Sequence, residues 1–578
     1  MGNDFDIFGD AKKTWGTISQ GAKIGWKLGR SWGAERWRKQ VEPELGSEVA
    51  DAVAQAVKAG RNPAPIIERA RKEKAEREER ERLLASPPPL YGSARWAEPL
   101  DLQENLKGRE AFDNPSSILL GAMEATEPSY PSPGFVHWDR EGHLLTLAPS
   151  RQGKAVTVIV PNLLRYRGSA IVLDPKGELY EMTSKWRAEN VGPVYRIAPF
   201  DNEDPTKAGW VSHGFNPLAC VRSQAEARLL AELLFPRDPN ASEFFSDDAA
   251  TFLTGLMMFI LKKAPPEKRN LATVIEYALH PLPKFKATLQ YMASSGVPAA
   301  ENAANAILGK NEERGLPTFR DTLNSKLGLW GDPDLMETLR KSDVDFASLK
   351  ERPATVYVDI PFKLITPYSP WLRVLFKAAL EEMTRSRDKP EIQTLFVLDE
   401  FLALGPFPEF RDAIRTHAGS GVRLWFFLQD MGTLEYTYPN GGWKPFLNCA
   451  VRQFFGTDDP DTGALIGKYL GTKTEAFRST NSGTNISAQQ GDMFGDGGGS
   501  GVNFSSGESI QFTGRPLLHP DEVMDLLSDW KGDGWRYGIV HMRGPRPIKV
   551  RLTTWDKSET CKSRIGTYIP SPAKTEKP

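Results

Sequence analysis

The chain is poor in the residues that staple small folds or hold structural metals. Three cysteines, Cys220, Cys449 and Cys561, are scattered through 578 residues without ligand spacing, and the seven histidines do not cluster with them. A disulfide framework and a zinc site are thereby excluded as organising features, and a reducing compartment fits. Uninterrupted apolar runs are short as well. The longest candidate, Phe252-Leu-Thr-Gly-Leu-Met-Met-Phe-Ile-Leu261, stops at Lys262-Lys263 and falls below the roughly 18 residues needed to cross a bilayer. Its apolar positions recur at helical spacing, so it reads as a core helix. No signal peptide is recognisable. Net charge is nearly absent, since 73 Lys and Arg face 74 Asp and Glu for a balance of −1. Nucleic-acid contact would therefore come from local patches or from a pore formed on assembly. These absences predict a cytoplasmic protein without a transmembrane segment. With 40% apolar and 25% charged residues, composition is ordinary for a globular protein, and the length suggests more than one core.

Two stretches carry chemistry. His143-Leu-Leu-Thr-Leu-Ala-Pro-Ser-Arg-Gln-Gly-Lys154 reads as an apolar strand entering a Gly-Lys turn, whose backbone N–H groups and lysine can cradle phosphates. The match to the phosphate-loop pattern is imperfect. Ala148 replaces its first Gly and Ala155 its Ser or Thr, so a metal ion would need another ligand, such as water. Far downstream, Thr394-Leu-Phe-Val-Leu-Asp399-Glu400 reads as a buried parallel strand ending in two acids, one suited to hold Mg²⁺ and the other to polarise an attacking water. The strand Gly168-Ser-Ala-Ile-Val-Leu-Asp174 runs into Pro175-Lys176-Gly177-Glu178, and Val422-Arg-Leu-Trp-Phe-Phe-Leu ends at Gln429, an amide able to sense a γ-phosphate or orient a water. Pattern alone would make 155–160 a strand because it is β-branched; a phosphate loop requires a helix there, and a helix is expected.

The combination of Leu90-Tyr-Gly-Ser-Ala-Arg-Trp-Ala97, the loop Ala148-Pro149-Ser150-Arg151-Gln152-Gly153-Lys154, Val172-Leu-Asp-Pro-Lys-Gly-Glu178, Leu398-Asp-Glu-Phe-Leu-Ala-Leu-Gly405 and Gly421-Val-Arg-Leu-Trp425 resembles the type IV coupling proteins, the TraG-like ATPases of conjugation and secretion machines. The resemblance runs from about residue 90 to about residue 555. It implies an α/β fold: a RecA-like P-loop NTPase with a central, mostly parallel sheet, an inserted all-α domain and a helical N-terminal extension. It further implies ATP and Mg²⁺ as ligands and a homo-hexamer when active. Implied partners are secretion-channel ATPases or inner-membrane components, relaxase or effector proteins, and single- or double-stranded DNA. Lys154 would contact the β/γ-phosphates, Asp399 the metal and Glu400 the catalytic water, with Gln429 assisting and residues 149–155 forming the loop. Asp174, Lys176 and Glu178 are accessory candidates. The trans-acting arginine of some members is not matched at His417-Ala-Gly419, which leaves Arg415 and Arg423 as candidates. Two alternatives stay open: an FtsK/HerA-like DNA translocase without a secretion partner, and a non-hydrolysing adaptor with a degenerate nucleotide site.

Expected boundaries follow composition. Residues 1–48 form a Trp-, Gly- and Lys-rich segment and 49–89 a charged helical spacer, whose alternating Arg and Glu over 66–84 suit i,i+4 ion pairs. The nucleotide-binding domain covers 90–222 and 320–560, interrupted by an all-α insertion at 223–319 that should form a separable lobe. Residues 483–507 form a mobile Gly-rich loop and 561–578 a tail. Between Lys12 and Lys39, eight cations face one acid, Glu35, among Trp15, Trp26, Trp32 and Trp37. On a helix, Trp26, Gly29, Gly33 and Trp37 share a face. That face suits an anionic membrane surface, a membrane-embedded partner, or packing on the protein itself, so the chain could be peripheral at the inner membrane.

Overall fold

The computed structural model describes residues 23–102, 105–107, 113–124, 134–201, 207, 209–234, 243–487, 501–532 and 534–570. The strands, in chain order, are β1 (Leu106–Lys107), β2 (Ile118–Met123), β3 (Phe135–Trp138), β4 (Leu144–Leu147), β5 (Ala170–Asp174), β6 (Val194–Ile197), β7 (Thr355–Asp359), β8 (Thr394–Leu398), β9 (Val422–Leu428), β10 (Val451–Phe454), β11 (Thr472–Ser487), β12 (Gly501–Pro516), β13 (Trp535–Met542) and β14 (Ile548–Thr553). Twelve of them form one sheet in the order β1-β3-β2-β14-β13-β10-β4-β9-β8-β5-β7-β6. From β10 to β6 every neighbouring pair is parallel. From β1 to β10 every pair is antiparallel.

The central strands read as continuous apolar runs because both faces are covered. All residues of β4, β5, β7, β8 and β9 are buried, as parallel strands roofed by helices require. Their side chains alternate between two cores, as a strand's two-residue period dictates. Leu145, Leu147, Ile171, Leu173, Phe396 and Leu398 face one, whereas Leu144, Ala170, Val172, Leu395, Val397, Trp425 and Phe427 face the other. Parallel order brings the carboxyl ends of β4, β9, β8, β5 and β7 to one edge, where ligands of open α/β sheets collect.

The helical insertion differs from the expected lobe. Helices run through Gln224–Leu234, Glu243–Lys263, Leu271–Ala278, Leu282–Ala293, Pro298–Leu308, Gly315–Leu327 and Pro333–Arg340, past residue 319, before the chain re-enters the sheet at β7. Leu253, Leu256, Met257 and Ile260 are buried in the same continuous apolar cluster as Ile171, Leu173, Val356 and Val358 of the sheet. A core shared in this way is not divisible at residues 223 and 319, and insertion and sheet belong to one compact unit, 94–471 with 516–578. The expected tail is also built in as far as residue 570. Cys561 on the helix Glu559–Arg564 is buried, Gly566 N–H donates to Met182 O at 3.0 Å, and Tyr568 N–H donates to Ser184 Oγ at 2.7 Å. Residues 571–578 lie outside the described residues.

A second compact unit combines residues 1–93 with 472–515. Its described helices are Lys23–Leu45, Ser47–Lys58 and Ala64–Ala85. The expected division at residue 48 is absent, because Val41, Ala50, Val53 and Ile67, from all three helices, make one small core. The charged helix is laced by i,i+4 pairs as expected, among them Arg69–Glu73 at 2.8 Å and Lys74–Glu78 at 3.8 Å. Of the proposed membrane face, Trp37 packs against the small core and Gly33 lies within 3.8 Å of Val57 for a built Cβ, so these two serve internal packing. Trp32 instead projects into solvent, 82% exposed. Residues 1–22, including Lys12, Trp15 and Gly21, lie outside the described residues. The Gly-rich segment 483–507 is not wholly a loop, since β11 and β12 pair as a hairpin reaching into it from both sides; 488–500 lie outside the described residues.

Replacing Leu256 by Ala should cost about 2–5 kcal/mol. Because its cluster spans insertion and sheet, calorimetry should show one transition shifted to lower temperature. Two transitions with only one of them shifted would restore a separable lobe.

Candidate nucleotide site

The site begins where β4 ends. Ala148 N–H donates to Leu428 O at 2.9 Å, extending the β4–β9 pairing by one residue before the chain turns through Pro149, Ser150, Arg151, Gln152 and Gly153. Arg151 and Gly153 adopt left-handed backbone, φ 62° and 84°, a local geometry that turns successive N–H groups into an anion-binding concavity. Glycine at 153 is doubly required: beyond its φ, a Cβ there would lie 2.9 Å from Trp530 Cζ2. A helix follows at once, a π turn over Ala155–Ile159 leading to an α turn over Val160–Leu163. The helix wins over β-branched propensity because Val158, Ile159, Val160 and Leu163 are all buried, and burial of several such side chains outweighs tenths of a kcal/mol of intrinsic preference. Its amino end and the Lys154 side chain make this turn electropositive.

Lys154 reaches the two acids at the end of β8. Its Nζ lies 3.6 Å from Asp399 Oδ1 and 3.6 Å from Glu400 Oε1. Neither Lys154 Nζ nor Asp399 Oδ1 has a hydrogen-bond partner, although both are buried. Burial pushes the Asp399 carboxyl above the ordinary carboxylate range, with Glu400 adding to the rise and Lys154 opposing it. Glu400 sits in left-handed backbone, φ 56°. Gln429, at the end of β9, donates its amide to both Glu400 carboxylate oxygens at 2.7 Å, and Ser150 Oγ donates to Gln429 Oε1 at 2.9 Å. A chain of hydrogen bonds thus ties the loop after β4 to the ends of β9 and β8.

The accessory candidates separate. Asp174 is fully buried at the end of β5, where one carboxylate oxygen accepts the Tyr180 N–H at 2.8 Å, so it caps the helix Glu178–Asn190. Its carboxyl is pushed up to about 7, first by burial and then by Asp359 on the neighbouring strand. Lys176 on the intervening turn and Glu178 at the start of that helix are exposed and take no part in the bonds that join Lys154, Asp399, Glu400 and Gln429. Arg415 is exposed in the last turn of the helix Pro408–Thr416. Arg423 is not placed to reach outward from the surface: it is 1% exposed, is the second residue of β9 at the opposite end from Gln429, and donates to Arg140 O at 2.8 Å. Strand alternation turns it into the sheet's interior.

Sequence reasoning missed two groups. Arg536 of β13 donates to Gln152 O at 2.9 Å and to Gln152 Oε1 at 2.5 Å, bracing the phosphate loop. A buried network at the ends of β6 and β7 joins Arg196 to Asp201 at 2.6 Å and to Asp359 at 2.5 Å, with Lys207 2.9 Å from Asp359. No local pattern announces either one, because strand order brings Gln152 to Arg536 and Asp359 to Arg196 from far apart in sequence.

The sheet order, with this constellation at the carboxyl edge of its parallel strands, gives the protein an α/β, RecA-like P-loop fold. The model of the family described as Type IV secretory system Conjugative DNA transfer matches residues 107–577, and the chain belongs to that family. Among curated relatives it is 29% identical to protein VirD4 of Rhizobium radiobacter over 505 residues, which cover 84% of this chain and 67% of that protein. It is 30% identical to VirD4 of Rhizobium rhizogenes, with 71% and 58% covered. Among solved structures, plasmid coupling protein TrwB in complex with the ATP analogue ADPNP and TrwB in complex with ADP and Mg²⁺ each superpose with a TM-score of 0.53 at 15% identity, covering 81% of this chain and 95% of TrwB.

The position of Asp174 generates a pH prediction. A buried carboxyl raised to about 7 binds its proton more tightly in the folded than in the unfolded chain. Stability through this group therefore falls as pH rises from about 4 to about 7 and stays reduced above that. Asp174→Asn should raise the melting temperature relative to the natural chain more at pH 8 than at pH 5. Equal differences at both pH values would contradict the assignment.

Proposed function

We propose that the protein is an ATP-driven type IV secretion coupling protein that recruits substrate, a relaxase–DNA complex or effector proteins, and feeds it to the secretion channel. Family membership supports the coupling role. The observation that carries the motor reading is Lys154 buried midway between Asp399 and Glu400, with Gln429 gripping Glu400. A buried lysine and a buried carboxylate oxygen that lack hydrogen-bond partners fit a site completed by phosphate and a divalent cation. Lys154 and the backbone N–H groups of 150–155 would hold the β/γ-phosphates, and Asp399 would hold Mg²⁺. Because Ala155 offers no hydroxyl, the chain itself would supply Asp399, and water and phosphate oxygens would have to complete the metal's ligands. Mg²⁺, when bound, neutralises charge developing on the transferred phosphoryl oxygens. Glu400 positions the attacking water at carboxylate oxygens that Gln429 keeps oriented, and Ser150 keeps Gln429 oriented in turn. This intact chain of bonds favours turnover over a non-hydrolysing adaptor.

Translocation of an extended substrate fits a homo-hexamer whose central pore supplies the basic lining that the near-neutral chain lacks overall. The exposed Arg415 is then the candidate to complete a neighbour's site. Among the described residues no helix is long and apolar enough to cross a membrane. Contact with the inner membrane or its embedded components is assigned to the Trp- and cation-rich N-terminal segment, in which Trp32 is open to solvent.

Lys154→Ala should weaken ATP binding. Glu400→Gln should keep binding and lower steady-state ATP hydrolysis by about 10²–10⁴-fold. Hydrolysis measured with and without single-stranded DNA, alongside calorimetric binding, checks both. Full hydrolysis by Glu400→Gln would move the catalytic role elsewhere.

A further inference from the structure

The phosphate loop has a second neighbour that the phosphates do not account for. Trp530, in the turn between the helix Pro520–Leu527 and β13, brings Cζ2 and Cη2 to 2.9 and 3.0 Å from the position a Cβ on Gly153 would take, where Val156 of the first helical turn also approaches. The indole is nevertheless 37% exposed, unusual for a large ring lying against a backbone loop. Behind it stands Arg536, whose guanidinium carbon is 4.9 Å from the ring centroid. Arg536 is wholly buried and donates to Gln152, to Leu527 O at 2.8 Å and to Ser528 O at 2.9 Å. All these acceptors are neutral, and its Nε has no partner. Among the described residues no carboxylate lies within ion-pair distance of it; Asp529 acts on its charge only from further off, so among those residues this buried positive charge has no close counter-ion.

Strand order gives this corner a direction. The acids that face the terminal phosphate end β8, on one flank of β4 beyond β9, whereas Trp530 and Arg536 belong to the opposite flank, beside β10 and β13. β13 runs antiparallel to β10 and β10 parallel to β4, so the start of β13 lies at the same edge as the loop. A nucleotide whose terminal phosphate sits between Lys154 and the β8 acids must carry its sugar and base away from them, across Gly153 and Val156. On the nucleotide reading above, we infer that the open face of Trp530 is the platform for the base and sugar, with Arg536 fixing the ring from behind and adding positive charge to the phosphate loop. Trp530 is thus a nucleotide-binding residue and Arg536 a positioning residue that acts through Trp530 and Gln152. Stacking on an indole tolerates any base with a π-face, so the site should discriminate nucleotides from bare polyphosphate far more than one base from another.

Calorimetric titration of the full chain with ADP·Mg²⁺ and, separately, with inorganic pyrophosphate and Mg²⁺ tests this in three proteins: natural, Trp530→Ala and Trp530→Phe. Trp530→Ala should weaken ADP about tenfold, within the range of base–aromatic stacking, Trp530→Phe should stay within about threefold, and pyrophosphate should bind all three alike. Unchanged ADP affinity in Trp530→Ala overturns the inference. So does equal weakening of ADP and pyrophosphate, which would make the ring only a support for the loop. A natural chain that bound neither ligand would overturn the nucleotide reading itself, a failure distinct from the other two.

Discussion

The charge arrangement of Lys154 between Asp399 and Glu400 is the constraint on which the rest of this structure depends. A buried carboxyl beside a second acid is costly to ionise, and its displaced proton affinity reflects that cost. One lysine 3.6 Å from each acid offsets the repulsion without a close hydrogen bond to either, leaving the cation available to a phosphate. Such a geometry needs the ends of β4, β9 and β8 side by side at one level. The register Leu147↔Leu428 and Leu398↔Phe426 supplies that level. A slip of one residue in either pairing would turn the acids or Gln429 to the wrong face. The two apolar cores, one on each face of the sheet, hold that register.

Much of this was legible in the chain itself. β4, β5, β8 and β9 announce themselves as continuous apolar runs, and the candidate side chains Asp399, Glu400 and Gln429 are the polar residues at the ends of β8 and β9, whereas Asp174, at the end of β5, caps a helix. The turn at Gly153 was legible despite Ala148 and Ala155, because its left-handed backbone is a local property; the helix after it runs against local propensity and is held by burial of Val158, Ile159, Val160 and Leu163. Legibility failed where the cause is non-local. Arg423 belongs to a motif-bearing segment, yet strand alternation buries it, and only the sheet order shows that it lies at the far end of β9 from the site. Trp530 in the turn before β13 and Arg536 at the start of that strand carry no recognisable pattern and acquire their meaning from the antiparallel return of β13 beside β10. The insertion's boundaries were misjudged because prolines mark helix ends, whereas a domain boundary is a break in the core, and the cluster that holds Leu256 also holds Ile171.

The N-terminal helices and the β11–β12 hairpin show the same limit of local reading. Separated by nearly four hundred positions, residues 1–93 and 472–515 form one compact unit, tied by the Ser93–Lys473 bridge and by Tyr91 N–H donating to Thr474 Oγ1 at 3.0 Å. Within it, the glycine and tryptophan face expected at a membrane is divided: Gly33 and Trp37 pack inward, while Trp32 and its neighbouring cations Arg36 and Lys39 stay exposed. The spacing showed which residues would share a face if a helix formed, and the partner helices decided which of its sides remained free.

The most direct test of the account is an experimental structure of the full chain with ADPNP and Mg²⁺. The account predicts terminal phosphate oxygens within hydrogen-bond distance of Lys154 Nζ, the metal against Asp399, and the Ser150–Gln429–Glu400 chain of bonds retained. A nucleotide bound away from the 149–155 loop, with Lys154 still suspended between the two acids, would contradict it.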